Sequence, residues 1–147
     1  MIIVVADTSG LLAALDSTHP EHRAANEAIM AAGLLVMSPL LLAEIDHVAT
    51  RELGRDAAVS AIDDIRHWIR RGRVSVPEIT EDHLAAAQSV RARYAGLDLD
   101  LTDAVNVSLA SDYDTDAILT LDRRDFRAVR PLGRHKAFRV LPDDLPL

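Results

Sequence analysis

Four acidic residues stand where acids are costly. Asp7 ends the apolar run Ile2, Ile3, Val4, Val5, Ala6, and Asp122 ends a second run, Ala117 to Leu121. Glu44 lies on one helical line with Leu40 and Val48, at i, i+4, i+8 spacing, with Leu41 and Ile45 alongside. Asp103 opens the stretch Ala104 to Ala110, which has the composition of a helix. If the fold brings these carboxylates together, their like charges need compensation. A divalent cation is the simplest one. Oxygen-only ligands favour Mg²⁺ or Mn²⁺, and a chain with no Cys and no clustered His argues against zinc. A hard cation with open positions suits phosphoryl chemistry, since it lowers the pKa of bound water, orients its attack and stabilises the leaving oxygen. On this expectation Asp7 and Asp103 are direct or near-direct ligands, Glu44 positions the metal or its water, and Asp122 completes a second metal position.

Each acid also has a plainer explanation. Asp7 would cap a helix beginning near Ser9. Asp103 would close a capping box with Asp100 at the N-cap, although that box prefers Glu or Gln. Glu44 would be neutralised by Arg51. A cap needs one carboxylate, however, and Asp98, Asp100 and Asp103 gather at near-alternate positions, with Asn106 three residues further on. His19 and His22 have no third ligand nearby and read as surface residues at a helix start.

The elements that would position these residues follow from periodicity and punctuation. Ile2 to Ala6 has no polar alternation, which predicts a strand buried on both faces in a helix-covered parallel sheet. Ligands in such sheets sit beyond the carboxyl ends of the strands. Two parallel strands ending in Asp7 and Asp122 would therefore put both acids on one rim. Between them the pattern predicts a short helix over Gly10 to Leu15, a break at Ser17 to Pro20, a helix over Glu21 to Ala32 ended by Gly33, and a strand at Leu34 to Met37. Ser38 and Pro39 then start the Glu44 helix, which Gly54 ends. A helix over Ala57 to Arg71, a brief strand at Arg73 to Val76 and a helix from Thr80 through Tyr94 come next. Arg123 to Phe126 reads as a turn, Ala137 to Leu141 as a last strand, and Pro142 to Leu147 as a loosely held tail.

The chain's 147 residues predict one domain, 1–147, large enough for a real core. No stretch approaches a membrane span, and the first apolar run lacks the basic flank and cleavage site of a signal peptide. Absence of Cys fits a reducing compartment, so a cytoplasmic protein is expected. A net charge of −7 argues superficially against nucleic acid. Basic residues are nonetheless clustered, at Arg66, Arg70, Arg71 and Arg73 and again from Arg123 to Arg139. The second cluster offers Arg123, Arg124 and Arg127 as candidate RNA contacts, against the plainer reading of a solvated face.

Together the segments VVADTSG, SPLLLAEI, LDLTDAVNVSLA and ILTLDRRDF resemble, in order and spacing, the PIN-domain family, and most closely its VapC-type toxin ribonucleases of toxin–antitoxin pairs. The resemblance implies a three-layer α/β/α sandwich around a central, mainly parallel sheet, and a Mg²⁺- or Mn²⁺-dependent endoribonuclease with Asp7, Glu44, Asp103 and Asp122 as its acidic quartet. It also implies a homodimer and a cognate antitoxin whose tail occupies the active-site groove. A non-toxin PIN nuclease of RNA processing would share these segments. Two other classes compete. A strand ending in Asp-Thr superficially resembles haloacid dehalogenase-like phosphatases, but their Asp-x-Asp pattern meets Ser9 here and no catalytic lysine context is evident. A non-catalytic binding module would keep the acids as structural groups and bind a partner through the basic clusters.

Overall fold

Short runs of β-branched and aliphatic residues become the strands β1 (Ile3–Ala6), β2 (Leu34–Val36), β3 (Val74–Ser75), β4 (Ala117–Leu119) and β5 (Arg139–Leu141). The structure is a computed structural model and describes residues 1–147. All five strands form one sheet in the order β3-β2-β1-β4-β5, and every ladder is parallel. Helices cover both faces, as a parallel sheet requires.

Alternation along each strand divides the core in two. Val4, Ala6, Leu35, Met37, Leu119 and Leu141 point to one face and meet Leu11, Ala28, Leu41, Ile45 and Ile65. These last residues belong to α1 (Thr8–Leu15), α2 (His22–Ala31), α3 (Pro39–Leu53) and α4 (Arg55–Arg70). Val5, Val36, Ile118 and Val140 point the other way, toward Val90, Val105, Leu109 and Phe126. Those lie on α5 (Glu81–Arg93), α6 (Leu101–Asp112) and α7 (Arg123–Ala128). The result is the expected α/β/α sandwich. No helix is long and apolar enough to cross a membrane.

At Gly10 a close approach fixes the residue type. A Cβ there would lie 2.6 Å from the Leu119 carbonyl oxygen, so glycine lets α1 settle against the end of β4. Most expected boundaries hold within a residue or two. α1 begins earlier than expected, at Thr8, and β4 ends earlier, at Leu119.

Two expectations are corrected. Arg123 to Phe126 is the start of a helix, because Asp122 accepts the Asp125 N–H as N-cap and Phe126 is fully buried, meeting Phe138 edge to face at 5.9 Å. The tail from Pro142 onward is tied down. Pro142 is buried, Leu145 packs against the core, and Asp143 and Asp144 form ion pairs with Arg123 and Arg127.

Candidate active site

Strand order reverses between β1 and β4, and ligands of open parallel sheets sit beyond the carboxyl ends at that switch point. Asp7 follows β1 directly, and its N–H donates to the Leu119 carbonyl at 2.9 Å. Asp122 lies three residues past β4, as the N-cap of α7. α3 brings Glu44 and the first turn of α6 brings Asp103. All four acids line one cleft of about 320 Å³, together with Asp100, Thr8, Ser9, Leu12 and Val48. The convergence expected from spacing is thus present in the structure. Arg51, the alternative partner for Glu44, contacts Glu52 instead.

Asp7 is 4% exposed, and its Oδ2 accepts from the Thr120 hydroxyl at 2.7 Å and from Ser9 Oγ at 3.3 Å. Burial raises its pKa against the pull of those bonds, and the charge of Asp100 adds to the rise. Asp103 stands at N3 of a capping box. Its N–H donates to Asp100 Oδ1 at 2.8 Å, and its Oδ2 accepts from the Asp100 N–H at 3.4 Å. The cap and the cleft therefore share one residue. Burial, then the charges of Asp7 and Asp100, push its carboxyl up to about 9. Asp122 is also raised, by burial first and by Asp125 next.

Three acids of one cleft thus resist ionisation, through burial first and neighbouring carboxylates next. No Lys, Arg or His lines it. No three His, Asp or Glu side chains meet at a single cation position. Mg²⁺ needs no closed cage of side chains, since it keeps several waters and takes one or two carboxylates plus substrate phosphate. The Thr8 hydroxyl, buried and without a partner, adds one more oxygen to the cleft wall. The donor set fits a hard divalent cation.

Sequence reasoning missed the residue that ties the rim together. Thr120 is fully buried. Its hydroxyl donates to Asp7, accepts the Asp122 N–H at 3.0 Å and lies 3.3 Å from Ser9 Oγ. Ser9 Oγ in turn accepts the Leu121 N–H at 2.9 Å. A threonine at the end of a strand carries no distinguishing pattern, so only the pairing of β1 with β4 reveals it. Asn106, noted for its polar position, is fully buried and donates to the Ala6 carbonyl at 3.4 Å. His22 and His19 serve local structure. His22 Nδ1 lies 3.0 Å from the Ala13 carbonyl, and His19 Nδ1 accepts the Glu21 N–H.

Of the candidate RNA contacts, Arg124 is exposed. Arg123 is held by Asp143 and Glu21 and Arg127 by Asp144.

Residues 4–131 match the model of the PIN domain. The chain belongs to the PIN-domain family. This PIN domain is 35% identical over 140 residues to ribonuclease VapC26 of Mycobacterium tuberculosis, covering 95% of this chain and 100% of the relative. Among solved structures it resembles VapC20 of Mycobacterium tuberculosis, described as a sarcin–ricin loop cleaving toxin, with a TM-score of 0.71 at 20% identity over 82% of this chain and 91% of that one. It also resembles VapBC2 of Rickettsia felis bound to a promoter DNA fragment, with a TM-score of 0.66 at 15% identity over 95% and 98%. A toxin–antitoxin complex from Klebsiella pneumoniae gives 0.59 at 20% identity over 89% and 99%. At those identities the structural likenesses establish the shared PIN fold.

Proposed function

We propose that this PIN domain is a metal-dependent endoribonuclease, the toxin of a toxin–antitoxin pair, hydrolysing RNA phosphodiester bonds at the Asp7, Glu44, Asp103 and Asp122 cleft. The observation that carries the reading is the gathering of four acids, from β1, α3, α6 and the β4–α7 turn, in a cleft with no cationic side chain. When bound, Mg²⁺ or Mn²⁺ supplies neutralisation of the scissile phosphate and a more acidic water. Asp7 and Asp103 would hold the cation, Glu44 would orient a water from the α3 side, and Asp122 would serve a second cation position. Thr120 and Ser9 fix the Asp7 carboxylate at the wall of the cleft through its Oδ2. The likeness to VapC26 supports ribonuclease chemistry, and the likeness to toxin–antitoxin complexes supports an antitoxin partner. A homodimer and a cytoplasmic location complete the proposal.

The phosphatase alternative finds no support in the geometry. Ser9 stands where a second aspartate is needed, and the chain's one lysine, Lys136, lies in the segment entering β5, at the opposite end of the sheet from the cleft. Mapping of cleavage ends on total RNA tests the proposal: cutting with Mg²⁺, none with chelator, and at least about a 100-fold loss in Asp7→Asn and Asp103→Asn. Unchanged turnover in either variant would refute the assignment.

A further inference from the structure

β5 runs parallel to β4, so the chain leaves it on the same rim as Asp122, and its last residues cross α7. There Asp143 meets Arg123 twice, Nε to Oδ2 at 2.6 Å and Nη2 to Oδ1 at 3.0 Å. Asp144 meets Arg127 twice, with both bonds at 2.7 Å. Such two-bonded pairing is also how a guanidinium grips a phosphate. Arg123 and Arg127 are four apart and so lie on one face of α7, a helix that starts at Asp122 itself.

We propose that this face of α7 is a seat for the backbone of the RNA strand entering the cleft, and that Asp143 and Asp144 occupy it in the free protein as stand-ins for two phosphates. The inference rests on the nuclease reading above. The pairs are open enough to exchange, with Arg123 and Asp143 each 36% exposed and Arg127 47% exposed, and ion pairs that exposed hold weakly. A cleft lined by acids repels an RNA strand, so arginines beside it govern approach out of proportion to their number. The tail has other anchors. Leu145 packs against the core, and the Asp144 N–H donates to the Val140 carbonyl at 2.8 Å. Neutralising the two carboxylates therefore frees Arg127 and leaves Arg123 to Glu21 alone, without releasing the segment.

The test is binding of a fluorescent single-stranded RNA oligonucleotide by the full chain, with chelator present so that nothing is cut. Asp143→Asn/Asp144→Asn is expected to lower Kd by about 3- to 10-fold at low salt. It should also steepen the dependence of log Kd on log salt by about 0.7 for each phosphate newly neutralised. With Mg²⁺ present, kcat/KM should rise by a similar factor and kcat stay level. Equal or weaker RNA binding with an unaltered salt slope would overturn the proposal. Should the double variant melt much lower than the parent, Glu21→Gln/Asp143→Asn decides, because those two carboxylates are the ones paired with Arg123. Cleavage by the parent keeps the two readings apart: cutting without any binding difference removes the seat and leaves the nuclease, whereas neither cutting nor binding removes both.

Discussion

Asp103 accepts the Asp100 N–H at the mouth of α6 and at the same time faces the charges of Asp7 and Asp100 across the cleft. Its carboxyl is pushed up to about 9, against about 3.9 in an unfolded chain. Between those values the folded protein keeps a proton that the unfolded chain has lost, so stability falls as pH rises. Asp7 and Asp122 are shifted in the same direction. Asp114 and Asp144 are lowered by hydrogen bonds from Arg134 and Arg127, and their contribution is complete above the ordinary carboxylate range. In chelator, Tm should therefore drop by about 3–8 °C between pH 5 and pH 8. Asp103→Asn should flatten that slope and raise Tm at pH 8 while abolishing cleavage. Melting curves that climb over this interval would contradict the account. Thr120 makes a second prediction. Thr120→Val removes the shorter of the two hydroxyl bonds to the buried Asp7 oxygen and leaves the Asp122 N–H without its acceptor, for a loss of about 1–3 kcal/mol in urea unfolding. It should also slow cleavage by about 10-fold or more through misplaced carboxylates. Thr120→Ser should recover most of both.

At the scale of elements, the fit of α1 against β4 depends on Gly10. Gly10→Ala places a methyl 2.6 Å from the backbone oxygen of Leu119, which cannot swing aside as a side chain would. Overpacking of this kind costs about 1–3 kcal/mol, and because α1 carries Ser9, cleavage should fall too. Gly96→Ala, where a Cβ meets nothing within 4 Å, is the control and should stay within about 0.5 kcal/mol. Denaturant titration of both variants checks the pair. β1 and β4 were legible in the amino-acid sequence because short, mainly apolar runs lead up to acids, and Glu44 because helical spacing put a charge among leucines. α7 was not legible: it has six residues, four of them charged, and it exists because Asp122 caps it and Phe126 finds Phe138. The tail was misread for a related reason, since Pro and Asp suggest disorder until Arg123 and Arg127 are placed beneath them.

For the whole molecule, the acids of the cleft couple folding to cation binding, because their burial and mutual repulsion oppose folding until a cation offsets them. A cation that binds the folded chain alone stabilises it by about 2.7 kcal/mol at one hundred times Kd, which is roughly 5–10 °C in Tm for a chain of this size. Differential scanning calorimetry with Mg²⁺ should show that rise in the parent and none in Asp7→Asn/Asp103→Asn. Strand order was the part of the architecture that periodicity could not encode, because alternation says which face a residue takes and not which strand lies next door. The pairing of β1 with β4 joins residues more than a hundred positions apart. The two acids of the rim that follow these strands, Asp7 and Asp122, are consequently brought together by tertiary pairing alone. Until β4 lies beside β1, Asp7 has neither the Leu119 carbonyl nor the Thr120 hydroxyl to hold it, so the cleft takes shape only as the last strands dock.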